Sequence, residues 1–134
     1  MDALDGLTVL DMSRILSGPY CAQVFSDLGA TVWKIEPPWG DDTRRLGPPF
    51  VETESAYYLS ANRGKKSVVI NLRDARGQDL VRRLARRADI LLENFKTGDL
   101  DRYGLDYESV AGVNPKLVYA SITGFGHTGP RAGE

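Results

Sequence analysis

The sequence predicts an α/β fold: a Rossmann-like parallel sheet with helices on both faces, built as one domain over residues 1–134. Two observations predict it. Short apolar runs of strand length recur along the chain, continuous in the way of strands covered on both faces. Helical stretches fall between them, so strand and helix alternate. The length of 134 residues suits one ordinary domain, and a chain of this size buries roughly two thirds of the surface it exposes when unfolded.

Residues 7–11, Leu-Thr-Val-Leu-Asp, predict a first buried strand. Residues 13–19 form a turn rich in small residues, with Pro19 suited to a first helical turn. A helix is expected over residues 20–28, stopped by Gly29. Residues 31–36, Thr-Val-Trp-Lys-Ile-Glu, predict a second strand that ends at Pro37-Pro38. A polar loop follows over residues 37–54; loops beyond about 12–15 residues usually carry a function or are disordered. A short helix is expected over 55–61 and a third strand over 67–72. From 74 to 88 the apolar positions Leu80, Val81, Leu84, Ala85 and Ala88 share one helical face, and most of the arginines fall off it. A fourth strand over 89–94, short helices over 97–103 and 106–113, and a fifth strand over 116–123 complete the pattern. Sheets of this kind bind ligands beyond the carboxyl ends of their strands. That rule directs attention to residues 12–18, 36–47, 71–76, 93–102 and 124–134.

Composition narrows the function classes. Net charge is -1, which excludes a bulk electrostatic binder of nucleic acid or membrane. No apolar run approaches the roughly 20 residues of a membrane span, and the acidic start has no signal pattern, so a reduced, cytoplasmic setting is expected. One cysteine, Cys21, allows no internal disulfide, and one histidine, His127, allows no two-histidine metal site; no metal is expected. Twelve of the 17 basic residues are arginine, the residue suited to bidentate recognition of phosphate and carboxylate.

Gly124-Phe125-Gly126-His127-Thr128-Gly129 matches G-x-G-x-x-G after a strand, but Pro130 follows and no helix opens, so a dinucleotide fingerprint is not expected there. The first strand-to-helix turn, where that fingerprint belongs, reads Ser-Arg-Ile-Leu-Ser-Gly-Pro. Glu36 would suit a ribose hydroxyl but is a weak signal alone. The arginines of residues 76–87 read as a solvated face. Arg14, Arg44, Arg73 and Arg102 instead sit after strands, and together they suggest a cradle for a polyanion. Trp33, Tyr57 and Tyr58 read as core, Cys21 as a small hydrophobe, and His127 as a loop histidine.

The ordered strings Leu4–Asp11, Ser17–Cys21, Asp27–Ala30, Val32–Glu36, Gly40–Arg44, Asn62–Ser67, Ala88–Phe95, Asn114-Pro115 and Ser121–Gly126 resemble the family III CoA-transferases. The resemblance covers nearly the whole chain and implies part of a larger, interlocked homodimeric fold. It implies an enzyme that moves CoA from an acyl-CoA to a free carboxylic acid. An aspartate attacks the thioester to give a mixed anhydride, and the CoA thiolate then makes an aspartyl-CoA thioester. The substrates implied are acyl-CoA and a small carboxylic acid. In the family the aspartate comes shortly after the Gly-x-Thr-Gly-Pro loop. Here the chain ends at Glu134, so no catalytic residue is expected within it, and the long terminal loop suggests a fragment cut before the nucleophile.

The CoA-contacting positions of the family fall on Arg14, Leu16 and Ser17, on Ile70, Asn71 and Arg73, and on Asn94, Phe95 and Arg102. One departure is Pro37, where some members carry an arginine; Arg44 or Arg45 would have to supply that charge. The run 47–55 followed by Tyr57-Tyr58 is similar to a branch that uses dicarboxylic acceptors such as glutarate. Alternatives are an α-methylacyl-CoA racemase-like enzyme, which shares the fold and the CoA site, an inactive CoA-binding fragment or remnant of such an enzyme, and an ordinary NAD-binding domain.

Overall fold

The computed structural model describes residues 2–134. Its elements are β1 (Thr8–Asp11), α1 (Ser17–Asp27), β2 (Thr31–Glu36), β3 (Phe50–Val51), β4 (Glu54–Ser55), α2 (Ala56–Asn62), β5 (Lys66–Val69), α3 (Ala75–Ala85), β6 (Ile90–Glu93), α4 (Tyr107–Val113) and β7 (Val118–Ser121). Five strands form one sheet in the order β5-β2-β1-β6-β7, every pair parallel. Strands β3 and β4 pair separately as a small antiparallel hairpin. The strand order reverses at β1, which lies between β2 and β6. The crevice at their carboxyl ends is therefore the switch point of the sheet.

Both faces of the sheet are covered, as the continuous apolar runs require. Leu10, Ile35 and Leu91 pack with Val81 and Ala85 of α3 and Val110 of α4. Val9, Val32 and Leu92 face the other way and pack with Ala22 of α1. Toward the carboxyl ends this second face turns from apolar to ionic. The two-residue period of a strand places Asp11 beyond Val9, and Lys34 and Glu36 beyond Val32. All three charged residues are buried. Among the described residues no helix is long and apolar enough to cross a membrane.

Several boundaries differ from the sequence reading, each for a local reason. Helix α1 begins at Ser17, three residues early, because Gly18 and Pro19 both fit its first turn. It ends as expected, with Gly29 at φ +99. Strand β5 stops at Val69 and not at residue 72, because Asn71 folds the chain into a turn. The Asn71 side chain accepts from the Arg73 amide at 3.1 Å and its carbonyl from the Asp74 amide at 3.1 Å. Helix α3 runs only from Ala75 to Ala85, capped by Asp74, whose carboxylate accepts from the Arg76 amide at 2.9 Å. Past its last turn the Asn114 amide binds the carbonyls of Ala85 and Ala88. Leu80, assigned to the buried face, is exposed.

The expected helix over 97–103 is only a 3-10 turn, Asp101–Tyr103. The long polar loop over 37–54 is ordered by another such turn, Asp42–Arg45, and by the β3–β4 hairpin. Cys21 is half-buried. Burial and the neighbouring Asp11 push its thiol pKa up, which leaves it protonated.

Candidate functional site

A cleft of about 160 Å³ opens at the carboxyl ends of β1, β2, β5 and β6. Six of the nine residues singled out in the sequence line it: Arg14, Ile70, Asn71, Arg73, Phe95 and Arg102. Four segments far apart in sequence thus meet at one place, which is what the parallel topology does with loops that follow its strands. Leu16, Ser17 and Asn94 do not line it. Leu16 and Ser17 lie exposed at the start of α1. Asn94 stands behind the wall: its Oδ1 accepts from the Arg14 amide at 2.8 Å and its Nδ2 donates to the Arg14 carbonyl at 2.7 Å. This clamp closes the switch point between the loops after β1 and β6. Ile15, next in the chain, has φ 70, an unfavourable conformation for a β-branched residue, held beside the clamp.

Each arginine of the cleft is stacked on an aromatic ring. The guanidinium of Arg14 lies 5.3 Å from the Phe95 centroid, that of Arg73 5.6 Å from Trp39, and that of Arg102 4.9 Å from Tyr103. A guanidinium over a ring gains a cation–π contact and keeps N–H donors that can bind an anion. One carboxylate, Asp99, shares the cleft and lies 3.4 Å from Arg102. Three cations against one anion leave the cleft net positive. Phe95 is aimed by its own neighbour, because the buried Glu93 side chain accepts from the Phe95 amide at 2.8 Å. In the run Glu93-Asn94-Phe95, successive residues orient the turn, clamp Arg14 and face the cleft.

Trp39 was missed in the sequence. It is half exposed, at 49%, and lines the cleft with Arg73 over its ring. The surviving signal was its place two residues after Pro37, in a segment flagged by strand ends. Its carbonyl accepts from Arg45 at 2.9 Å.

Arg44 does not belong to the anion cradle, contrary to the sequence reading. It donates to both oxygens of Glu36 at 2.7 Å and to Glu54 at 2.9 Å, and its guanidinium lies 3.9 Å from the Tyr58 ring centre. Arg45 donates to the Trp39 carbonyl at 2.9 Å and does not line the cleft. Glu36 is equally unavailable to a ribose. It also accepts from the Asp41 amide, the Tyr58 hydroxyl and Ser67. Burial opposes its ionisation, but Arg44 and these donors outweigh it and hold the carboxyl at about 2. Tyr58, read as simple core, is buried and hydrogen-bonds into this network.

A second, wider groove of about 650 Å³ lies beyond β6 and β7. Glu93, Asp101, Asp106 and Glu108 face it against Lys96 and His127, a balance that repels a polyanion. His127 touches Ser121 at 2.8 Å and Thr97 at 3.5 Å. The glycines of 124–129 lead into exposed turns and no helix, as expected.

Nearly the whole chain is similar to known proteins. The sequence model described as CoA-transferase family III matches residues 4–134. Succinate–glutarate CoA-transferase of Agrobacterium fabrum is 53% identical over 136 residues, which cover 96% of this chain and 34% of that protein. Acetyl-CoA:oxalate CoA-transferase of Acetobacter aceti is 49% identical over 129 residues, 96% of this chain and 33% of that protein. The crystal structure of a CAIB/BAIF family protein from Brucella suis superposes with a TM-score of 0.96 at 55% identity, covering 99% of this chain and 36% of that one. The chain thus spans about a third of the length of the relatives it matches.

Proposed function

The chain belongs to CoA-transferase family III, and from that premise we propose that it supplies the CoA-holding part of an enzyme that transfers CoA between carboxylic acids. The observation that carries the proposal is the convergence of Arg14, Arg73 and Arg102, each stacked on an aromatic ring, in one cleft at the switch point. The phosphates of CoA meet the guanidinium edges, and the rings beside them form walls for its adenine. Ile70 and Phe95 supply apolar contact, and the Asn71 amide nitrogen, without a partner among the described residues, donates to the ligand. Asn94 acts through Arg14. Leu16 and Ser17 lie at the rim, where the pantetheine arm leaves the cleft.

The acceptor we propose is a dicarboxylic acid, after the glutarate and oxalate in the names of the two relatives. The nucleophile is an aspartate outside these 134 residues, and the complete enzyme is an interlocked homodimer. The chain by itself therefore binds CoA and transfers nothing. Titration calorimetry of the 134-residue chain tests this. Saturable binding of CoA, with no heat from NAD at the same concentration, is expected. A folded chain that ignores CoA overturns the proposal. In the longer enzyme, CoA transfer from succinyl-CoA to glutarate is expected; proton exchange at C2 of a branched acyl-CoA without transfer would point to the racemase chemistry instead.

A further inference from the structure

The two walls of the cleft come from different loops. Arg14 follows β1, and Trp39 follows β2. Between them, inside β2, lies Lys34, whose side chain is 0% exposed. A buried ammonium is costly unless it is paired. Lys34 has two partners and neither lies in its own strand. Its Nζ donates to the carbonyl of Ser13 at 3.1 Å and meets Asp41 Oδ2 at 2.9 Å. Ser13 is the residue before Arg14, and Asp41 is two residues after Trp39.

Each partner is itself anchored. The Ser13 amide and hydroxyl both donate to Asp11 Oδ1. Asp11 Oδ2 meets Lys65 at 2.8 Å, and Lys65 also donates to the Pro19 carbonyl and to Asn62. On the other side, Asp41 Oδ1 accepts from the amide and hydroxyl of Thr43, and the Asp41 amide donates to Glu36. Among the described residues, Lys34 is the single side chain bonded to both loops. On the same sheet face it has Val32 on one side along the strand and Glu36 on the other, with Asp11 across on β1, and both of those carboxylates already have cations of their own in Arg44 and Lys65. An apolar residue at position 34 would pack as well or better, since replacing a buried ion pair by apolar groups is often neutral or stabilising. What such a residue could not do is join the loops.

We infer that Lys34 is a positioning residue: by tying the Ser13 carbonyl to Asp41 it holds the Arg14 wall and the Trp39 wall of the cleft at one spacing. The inference rests on the reading of the cleft as the CoA site. It assigns Lys34 no contact with the ligand. Its effect falls on ligands that reach across the cleft and spares those that one wall can hold.

The test uses the 134-residue chain carrying Lys34→Met and Asp41→Asn together. This leaves no buried charge unpaired and keeps the Asn oxygen for Thr43. Calorimetry compares adenosine 3′,5′-bisphosphate, whose two phosphates can engage both walls, with inorganic phosphate, which can be held by one arginine. The bisphosphate is expected to bind about tenfold more weakly, the equivalent of one misaligned charge-assisted hydrogen bond, with phosphate affinity unchanged. Equal loss for both probes, or none in a folded variant, overturns the inference. Hydrogen–deuterium exchange gives a readout that needs no ligand. In the variant the amides of residues 13–17 and 37–41 should lose protection together, and loosening of one segment alone also overturns it. If the double variant does not fold, Lys34→Leu with Asp41→Asn, which likewise leaves no buried charge unpaired, is read by the same two criteria. A wild-type chain that binds neither CoA nor the bisphosphate sinks the CoA reading instead, and the exchange experiment still decides the coupling.

Discussion

Glu36 shows how much one side chain can be asked to hold. Its two oxygens accept five hydrogen bonds, from Asp41, twice from Arg44, and from Tyr58 and Ser67. Glu36→Gln keeps the shape and removes the charge that Arg44 faces. A loss of about 3 kcal/mol in urea unfolding is expected, because the neutral amide no longer answers the charge of Arg44 and cannot accept from all five donors, while Arg44 keeps Glu54. In the sequence Glu36 was legible as the end of a strand and Arg44 as a loop cation. Nothing in the spacing of eight residues said that they would satisfy one another, because the turn over Asp42–Arg45 that brings them together is stabilised by Asp41 and Thr43 only once the loop is folded. Arg73 differs: its side chain meets an aromatic face, and no carboxylate pairs with it among the described residues. Arg73→Ala should weaken CoA binding by about tenfold or more by calorimetry, the worth of one charge-assisted contact, and leave the melting temperature unchanged.

Among the elements, α3 decides how the cleft floor is set. Gly77 lies in its first turns, and a Cβ there would collide with the Asn71 carbonyl and press on Ile70 Cγ2 at 3.1 Å. Gly112, in α4, has nothing within 4 Å of the same atom. Helix propensity alone favours alanine at both by up to about 1 kcal/mol. The two sites should therefore part in sign. Gly112→Ala raises the urea midpoint; Gly77→Ala lowers it and weakens CoA binding, because Asn71 and Ile70 must move. Equal gains at both positions would show that α3 does not seat against the 70–73 turn. The start of α3 was legible to within a residue from its apolar periodicity, with Asp74 proving to be its cap. The position of its end was not, since the Asn114 amide that binds the Ala85 and Ala88 carbonyls comes from another helix.

At the scale of the molecule, charge is concentrated beneath the cleft, and acid should find it. The Glu36 carboxyl sits at about 2 in the folded chain against an ordinary value of 4.5. Its stabilisation is thus fully present above pH 4.5 and is lost as the pH falls toward 2, a contribution of about 3 kcal/mol. Asp41 is shifted in the same direction: burial opposes its charge, but Lys34 beside it and the Thr43 donors prevail. Urea stability measured between about pH 5 and pH 3 should fall in the wild type and fall less steeply in Glu36→Gln. The sequence by itself determined the order of strands and helices, the parallel sheet, and the segments that reach one cleft, because strand-following loops of such a sheet must gather at its carboxyl edge; the individual residues came from the resemblance, and six of its nine line the cleft. It also carried the family, through short strings in a fixed order. Tertiary structure alone decided which cations stay free. Arg14 and Arg73 lie over rings with no carboxylate partner among the described residues, and Arg102 lies over a ring with only the partly exposed Asp99 beside it, whereas Arg44, Lys34 and Lys65 are consumed by buried carboxylates. The reason is physical: whether a charge serves a ligand or the fold depends on partners brought from distant segments, and local sequence carries no record of those distances.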